Sequence, residues 1–435
     1  MKTVYFTRVL LGLASILAWA SHAAIVIPGA NGSDGSLTIR TNTVIDLSQA
    51  VTDVWDADNS ANAGKGVYDS NKWAIVFKYL DVTVASNANV TFVNHPSRAP
   101  VVWLVSGNVR IDGVVNISGG VASVPPANAE PGPGGFRGGT GKYSSGVDAG
   151  SGFGLGGGWK FNHPDGWTVA QGGGFGSAGG GQIPPYGNPS LIPLLGGSGG
   201  SGSTRGQPND PFPPIGGGAG GGAILVGCRN TVTLDGVIMA DGGRGFDNLG
   251  TRLAISSAGS GGGIRLVCSS LVGNGTISAV GGAADGSREA GGVGRIRIER
   301  VSNANSLKLV PDPSVVDLVE NSTALLWPPA FAPEVRVLSI GNTNAPADPR
   351  AGFGAVGADV TLPLTQNTPI LIETKNVEKA SQVLVRLTPR YNVKHSEIAA
   401  TVQSIISNDP LIIRWSAILP VTPGYSAVQV KVVRP

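Results

Sequence analysis

Three stretches of the chain share one pattern of apolar and polar positions. Residues 102–120 read VWLVSGNVRIDGVVNISGG, 222–243 read GAILVGCRNTVTLDGVIMADGG and 262–282 read GGIRLVCSSLVGNGTISAVGG. Each holds two bursts alternating with period two, the signature of a half-buried strand. Ile224, Val226 and Cys228 align with Ile264, Leu266 and Cys268. After one extra residue in the earlier stretch, Asp235-Gly236 aligns with Asn274-Gly275, then Ile238 and Ala240 with Ile277 and Ala279. In 102–120, Val102, Leu104 and Ser106 lead to Asp112-Gly113, Val115 and Ile117. GRIRIER, 294–300, is a shortened fourth copy carrying Ile296 and Ile298.

Taken alone, an Asx-Gly step between two bursts suggests a tight hairpin. The regular recurrence points elsewhere. Repeats of this kind stack, each burying the face its neighbour exposes. The expected arrangement is a short parallel β-helix or solenoid spanning 24–308, in preference to an antiparallel sandwich. Its corners fall at the Asx-Gly steps, where Gly supplies a positive φ and Asp or Asn tolerates one. Residues 25–100 read as the N-terminal cap, with KWAIVFKYLDVTVASNANVTFVNH forming the first coils and VIDLSQAVTDVW a strand or short helix. After 309 the pattern changes. A Pro-rich linker, 309–333, precedes 334–435, where seven short alternating segments read as an immunoglobulin-like β-sandwich with Trp415 in its core.

Composition changes this picture in one place. The chain has 67 Gly and 30 Pro in 435 residues, yet 41 % of it is hydrophobic, far too much for a disordered chain. The glycines concentrate in a large insert, 121–217, with runs such as GFGLGGGWKF and GGGFGSAGGGQ. Gly-rich chains are usually mobile. Here aromatic rings punctuate the runs, and glycine segments pack as polyproline-II-like strands because only hydrogen projects from them. An ordered glycine-rich lobe beside the coils is the expectation. Trp159, Phe161, Trp167 and Tyr186 within it are candidates for stacking on a ligand such as a sugar ring.

Charge and targeting narrow the setting. The net charge is +3, with only 14 % charged residues and no basic stripe, which argues against nucleic acid as a partner. MKTVYFTRVLLGLASILAWASHA has a basic head, a short apolar stretch, and Ser21 and Ala23 before a cleavage point. It reads as a signal peptide, 1–23. Nothing later is apolar for long enough to span a bilayer, so the expected product is secreted, periplasmic or at the cell surface, with no transmembrane segment. Only two cysteines exist, Cys228 and Cys268, at equivalent repeat positions. Parallel neighbours lie about 4.7–4.9 Å apart, within the Cα range of about 4.4–6.8 Å for a disulfide. In an exported protein a bridge is the expectation; two stacked buried thiols are the alternative.

Candidate chemistry is sparse. His95, His163 and His395 lie in three regions, none beside a nucleophile signature. The carboxylates Asp112 and Asp235, stacked with Asn274, are accounted for by their corners. DADNSAN, 56–62, faintly resembles a calcium loop through Asp56, Asp58, Asn59 and Asn62, but lacks the central Gly and the terminal Glu. No catalytic residue, cofactor or metal site is assigned.

GVYDSNKWAIVFKY (66–79), NHPSRAPVVWLVSGNVRIDG (94–113), YGNPSLIPLLGGSGGSG (186–202) and GAGGGAILVGC (218–228) resemble exported, glycine-rich proteins predicted from environmental bacteria and of unknown activity. The resemblance covers nearly the whole chain after the leader. It implies export and the β-helix-like, Ig-like architecture, and brings no catalytic residue. The functional expectation is a non-enzymatic surface, matrix or adhesion protein whose partners are extracellular polysaccharide or cell-surface components. The alternative is a β-helix polysaccharide lyase or hydrolase.

Overall fold

The apolar bursts stack in parallel. In the computed structural model, Ala74–Tyr79, Val101–Val105, Ala223–Leu234, Gly263–Gly273 and Arg295–Asn305 are neighbours in one sheet. Phe77, Trp103, Val226, Leu266 and Ile298 share one in-register column, and none is more than 3 % exposed. Past each corner the chain enters a second parallel sheet, where Val90, Val115, Ile238, Ile277 and Leu309 form the matching column. The inward residues of both sheets merge into one apolar cluster. Parallel pairing excludes the hairpin for these repeats. The structure describes residues 24–435 except 123–127, 144–148, 163–167, 181–182, 206–212, 247–255, 285–289, 351–357, 364–366 and 391–394; the leader-like 1–23 lies outside the described residues. The described chain is all-β, and no described helix is long and apolar enough to cross a membrane.

Three details depart from the repeat alignment. First, Ile224, Val226 and Cys228 pair with Val101, Trp103 and Val105, so Val102 and Leu104 face outward. A one-residue slip exchanges the two faces of a strand, and VVWLV is apolar on both, so its alternation carries no phase. Its outer face is buried too: Val76, Val102, Leu104, Leu225 and Val267 pack under Ile25, Ile27, Phe175, Leu191 and Leu326. Arg265, on that same face, is 1 % exposed, with Glu299 at 2.9 Å and the Leu325 carbonyl at 2.6 Å as its acceptors. Second, the extra residue in 222–243 becomes a bulge between Cys228 and Thr231, which absorbs it without shifting the flanking register. Third, the corner glycines Gly113, Gly236 and Gly275 are not in the left-handed region. They are glycine because they pile up: a Cβ on Gly236 would lie 2.0 Å from the Gly113 carbonyl, and one on Gly275 2.2 Å from that of Gly236.

The stack begins earlier than the cap reading expects. Leu37–Ile39 and Thr43–Asp46 already pair in parallel with Val82–Val84 and Asn89–Val93. Asp46 accepts the Ser48 N–H at 3.0 Å and caps the short 3-10 turn Leu47–Gln49. At the other end Asn303 occupies the column of Leu271 and is exposed; a polar last rung closes a stack. Ser314–Asp317, from the Pro-rich passage, adds a final parallel strand beside Arg295–Asn305.

The expected disulfide is absent. Cys228 and Cys268 are direct partners in the ladder, but both are free, buried thiols. In-register parallel neighbours project their side chains side by side rather than toward each other, and the Cys228 thiol sits 3.3 Å from the Gly107 carbonyl and 3.4 Å from that of Thr231. Burial pushes the Cys228 thiol up to about 12 and raises that of Cys268 as well. Neither is a reactive thiolate near neutrality. Both are expected to resist a thiol reagent in the folded protein and to react fully on unfolding. Two thiols titrating without denaturant overturn the assignment.

The glycine-rich insert is ordered over its described runs, with a period of three. In 196–203 the N–H groups of Gly196, Gly199 and Gly202 donate to the carbonyls of Gly134, Phe153 and Gly150. Those of Gly197, Gly200 and Ser203 donate to Gly221, Gly218 and Ile215. Those of Ser198 and Ser201 reach the hydroxyls of Ser260 and Ser257. Each segment thus bonds three neighbours in rotation, which is the three-residue turn of a polyproline II helix. Backbones approach closely enough that a Cβ on Gly220 would meet the Gly197 carbonyl oxygen at 1.9 Å.

The C-terminal part is two antiparallel sheets. One orders Thr343–Asn344, Glu334–Ile340, Asn367–Lys375, Leu411–Pro420 and Thr401–Asn408; the other orders Ser396–Ala399, Gln382–Pro389 and Ser426–Val433. Ile370, Ile372, Ile413 and Trp415 of the first pack with Val383, Val385 and Leu387 of the second. Trp415 is 3 % exposed, its indole N–H donating to Thr374 Oγ1 at 2.8 Å. ADVTLPL forms no strand over its described residues, 358–363.

A buried histidine backs the tyrosine that ties the N-terminal strands to the segment after Ile340. His95 is 5 % exposed, stacks on Tyr68 at 4.3 Å, and accepts the Ser97 N–H at Nδ1, 3.1 Å. Tyr68 in turn donates to Asp348 at 2.5 Å. Burial, with the Arg350 charge adding to it, holds His95 down at about 4. The unfolded chain takes up this proton near pH 6.5 and the folded one only near 4, so stability falls as pH drops through that window. The expected loss is about 2–3 kcal/mol, measured by urea unfolding at pH 7.5 and 4.5. The loss is expected to shrink in His95→Gln, and equal slopes in both proteins refute it.

Candidate functional site

The glycine lobe meets the three-stranded sheet in a cleft of about 520 Å³. The lobe contributes Leu155, Trp159, Ile183 and Pro184; the sheet contributes Arg386, His395, Ser396 and Glu397. Arg386 lies between Val385 and Leu387, both in the apolar cluster shared by the two C-terminal sheets, so alternation points Arg386 the other way, at the lobe. Arg386 and Leu387 pair with Glu397 and Ser396 across the sheet, which brings the whole group to one place. Trp159 precedes Lys160–Asn162, a strand held antiparallel by Thr168–Ala170.

Arg386 forms the floor. It is 2 % exposed; its guanidinium donates to the carbonyls of Leu155 and Gly157, the latter at 2.9 Å, and to His395 Nδ1 at 2.7 Å. A guanidinium only donates, so His395 accepts at Nδ1 and carries its proton on Nε2. The Trp159 ring stands edge-on to the His395 ring at 5.1 Å. No described carboxylate forms an ion pair with Arg386, and its Nε has no hydrogen-bond partner among the described residues. Burial lowers the guanidinium to about 10, so it stays charged at neutrality. Glu397, at the rim, is held by Lys431 at 2.9 Å. The result is a fixed positive charge behind an indole wall.

No family model, curated protein or solved structure matches this chain. The reading of the cleft therefore rests on its own geometry.

Of the four rings expected to stack on a ligand, the structure puts Trp159 in the cleft wall. Tyr186 does not line it; its ring packs on Phe175 at 4.9 Å and its hydroxyl donates to the Gly196 carbonyl at 2.6 Å, so it holds the lobe together. Phe161 belongs to Lys160–Asn162, with its side chain outside the description, and Trp167, like His163, lies outside the described residues. Asp112 and Asp235 do stack at successive corners, but Arg110 binds them at 2.8 and 3.5 Å, and Asn274 donates its N–H to Asp235 at 3.3 Å. DADNSAN is organised around an internal cation. The ammonium of Lys78, itself fully buried, donates to the carbonyls of Trp55 and Ala57, while Asn59 donates to Asp34 at 2.7 Å. Arg386 gave no sequence signal beyond being the one charged residue in VLVRL. Trp55 and Trp327, far apart in the chain, meet edge to face at 5.3 Å, a pairing no local pattern announces.

Proposed function

We propose that this chain is an exported, non-enzymatic binding protein of the cell surface or matrix, and that its ligand is an extracellular polysaccharide bearing acidic groups. In this reading 1–23 is a cleaved leader, the stacked coils are a parallel β-helix, and the C-terminal sheets are an immunoglobulin-like sandwich. One observation carries the binding assignment: the Trp159 indole stands beside a buried Arg386 that forms no ion pair with a described carboxylate and whose Nε has no hydrogen-bond partner among the described residues. An aromatic face suits the apolar side of a pyranose, and a buried cation without an ion-pair partner favours an anionic group nearby. Glycoside hydrolysis commonly needs two carboxyls facing one bond; the described cleft wall has Glu397 alone, paired to Lys431. Non-catalytic binding is therefore favoured over a hydrolase.

The test is titration of the leaderless protein with acidic oligouronates and with neutral oligoglucosides, read by tryptophan fluorescence and calorimetry. Binding of the acidic series, weakened at least about tenfold in Trp159→Ala as the loss of one stacked ring predicts, supports the reading. No heat and no spectral change with either series sinks it.

A further inference from the structure

We infer that, once the leader is cut after Ala23, the α-ammonium released on Ala24 is seated in a polar cleft at one corner of the stacked strands. The inference rests on the export reading above, with its cut after Ala23, and adds what receives the new terminus.

Two independent observations meet at this bond. The sequence places small residues, Ser21 and Ala23, where a leader peptidase needs them. The structure shows where the chain becomes part of the fold. Ile25 is 0 % exposed and packs in the outer apolar cluster. Its N–H donates to Ser269 Oγ at 2.9 Å, and Ser269 in turn donates to the Arg229 carbonyl at 2.5 Å. One residue on, the Val26 N–H donates to the Ser322 carbonyl, and Val26 in turn accepts from Ala324, both at 2.9 Å. The Ile25 side chain and the N–H groups of Ile25 and Val26 are thus already engaged in the fold, whereas Ala24 is partly exposed.

Ala24 itself lines a cleft of about 360 Å³. Asn108, Thr231, Ser270 and Ser302 complete much of its wall, one from each of four successive passes. Thr231, Ser270 and Ser302 are direct neighbours in the ladder because the bulge after Cys228 restores their register. The wall is uncharged and rich in hydroxyl and amide oxygens. An ammonium has three N–H donors and no acceptor, and such a wall can satisfy them. The step is a hydrolysis: water adds across the Ala23–Ala24 amide, its oxygen leaves on the Ala23 carboxylate, and the nitrogen stays on Ala24 as an amine. That amine is largely protonated at neutral pH, since an α-amino group titrates near about 7.7–8.0.

The experiment expresses the full chain with its leader in a bacterial host and weighs the protein recovered outside the cytoplasm. The recovered chain is then treated at pH 7 with a small acylating ester, folded and in guanidinium. The expected mass is that of 24–435. The expected acylation of Ala24 is at least about tenfold slower in the folded protein, the factor that one or two hydrogen bonds supply. Thr231→Val with Ser270→Ala is expected to remove that protection while the circular dichroism spectrum is unchanged. An intact mass of 1–435 overturns the export reading and this inference together. A different new terminus overturns both the cleavage site and the seat and leaves export standing. A mass of 24–435 with Ala24 acylated as fast as in guanidinium overturns the seat and leaves export standing.

Discussion

Gly220→Ala is expected to destabilise the protein by about 3 kcal/mol or more, the upper range for overpacking a rigid interior. The added methyl would meet the Gly197 carbonyl oxygen at 1.9 Å, its carbon at 2.2 Å and the Ser198 nitrogen at 2.8 Å. All three are backbone atoms, so no side chain can swing aside. Gly220 also donates to the Phe136 carbonyl at 2.9 Å, which fixes its distance from a second segment. The cost is large against a typical total of about 5–15 kcal/mol. Gly35→Ala is the matching control. Its φ of +72° is strained for alanine, but nothing lies within 4 Å of the new methyl, so the loss is about 1–2 kcal/mol. Urea unfolding of both variants decides the matter. A flexible tether predicts no effect at Gly220, and an unchanged midpoint there refutes the packed bundle.

Arg386→Leu is expected to cost about 2–4 kcal/mol and to loosen the C-terminal sheets from the glycine lobe. Removing the guanidinium leaves the carbonyls of Leu155 and Gly157 and the Nδ1 of His395 facing a hydrocarbon, and unpaired buried acceptors cost about 1–3 kcal/mol each. Relief of the buried charge offsets part of this. Arg386→Lys is not expected to rescue the junction, because a point ammonium cannot span three acceptors held by a planar fork. Limited proteolysis and thermal unfolding read the outcome. A variant as stable and as protease-resistant as the parent means that the contact does not hold the two parts together.

Much of the architecture was legible because stacking repeats write the same side chain again and again. Ile224, Ile264 and Ile296 recur at the same phase, and so do the Asx-Gly corners, so parallel register followed from recurrence. The slip at Val101–Val105 shows the limit. A strand buried on both faces has no polar phase marker, and only its neighbours select which residues turn inward. The cysteines show another. Alignment brought Cys228 and Cys268 side by side, but bond formation depends on side-chain direction, which alignment does not contain.

The cleft was barely legible. Trp159 stood out as a large ring among glycines, whereas Arg386 read as one more charge on an alternating strand. Its burial arises from glycine segments arriving from more than two hundred positions away in the chain.

Taken by itself, the order of residues determined the all-β class, the repeated strands, their corners and the core character of Trp415, because those follow from local periodicity and from which side chains leave water. Tertiary packing alone decided that glycine runs form a three-way hydrogen-bonded bundle, that Lys78 occupies a loop resembling a cation site, and that Arg386 lies beneath Trp159. Each of those depends on contacts between distant segments, whose geometry no window of neighbouring residues encodes.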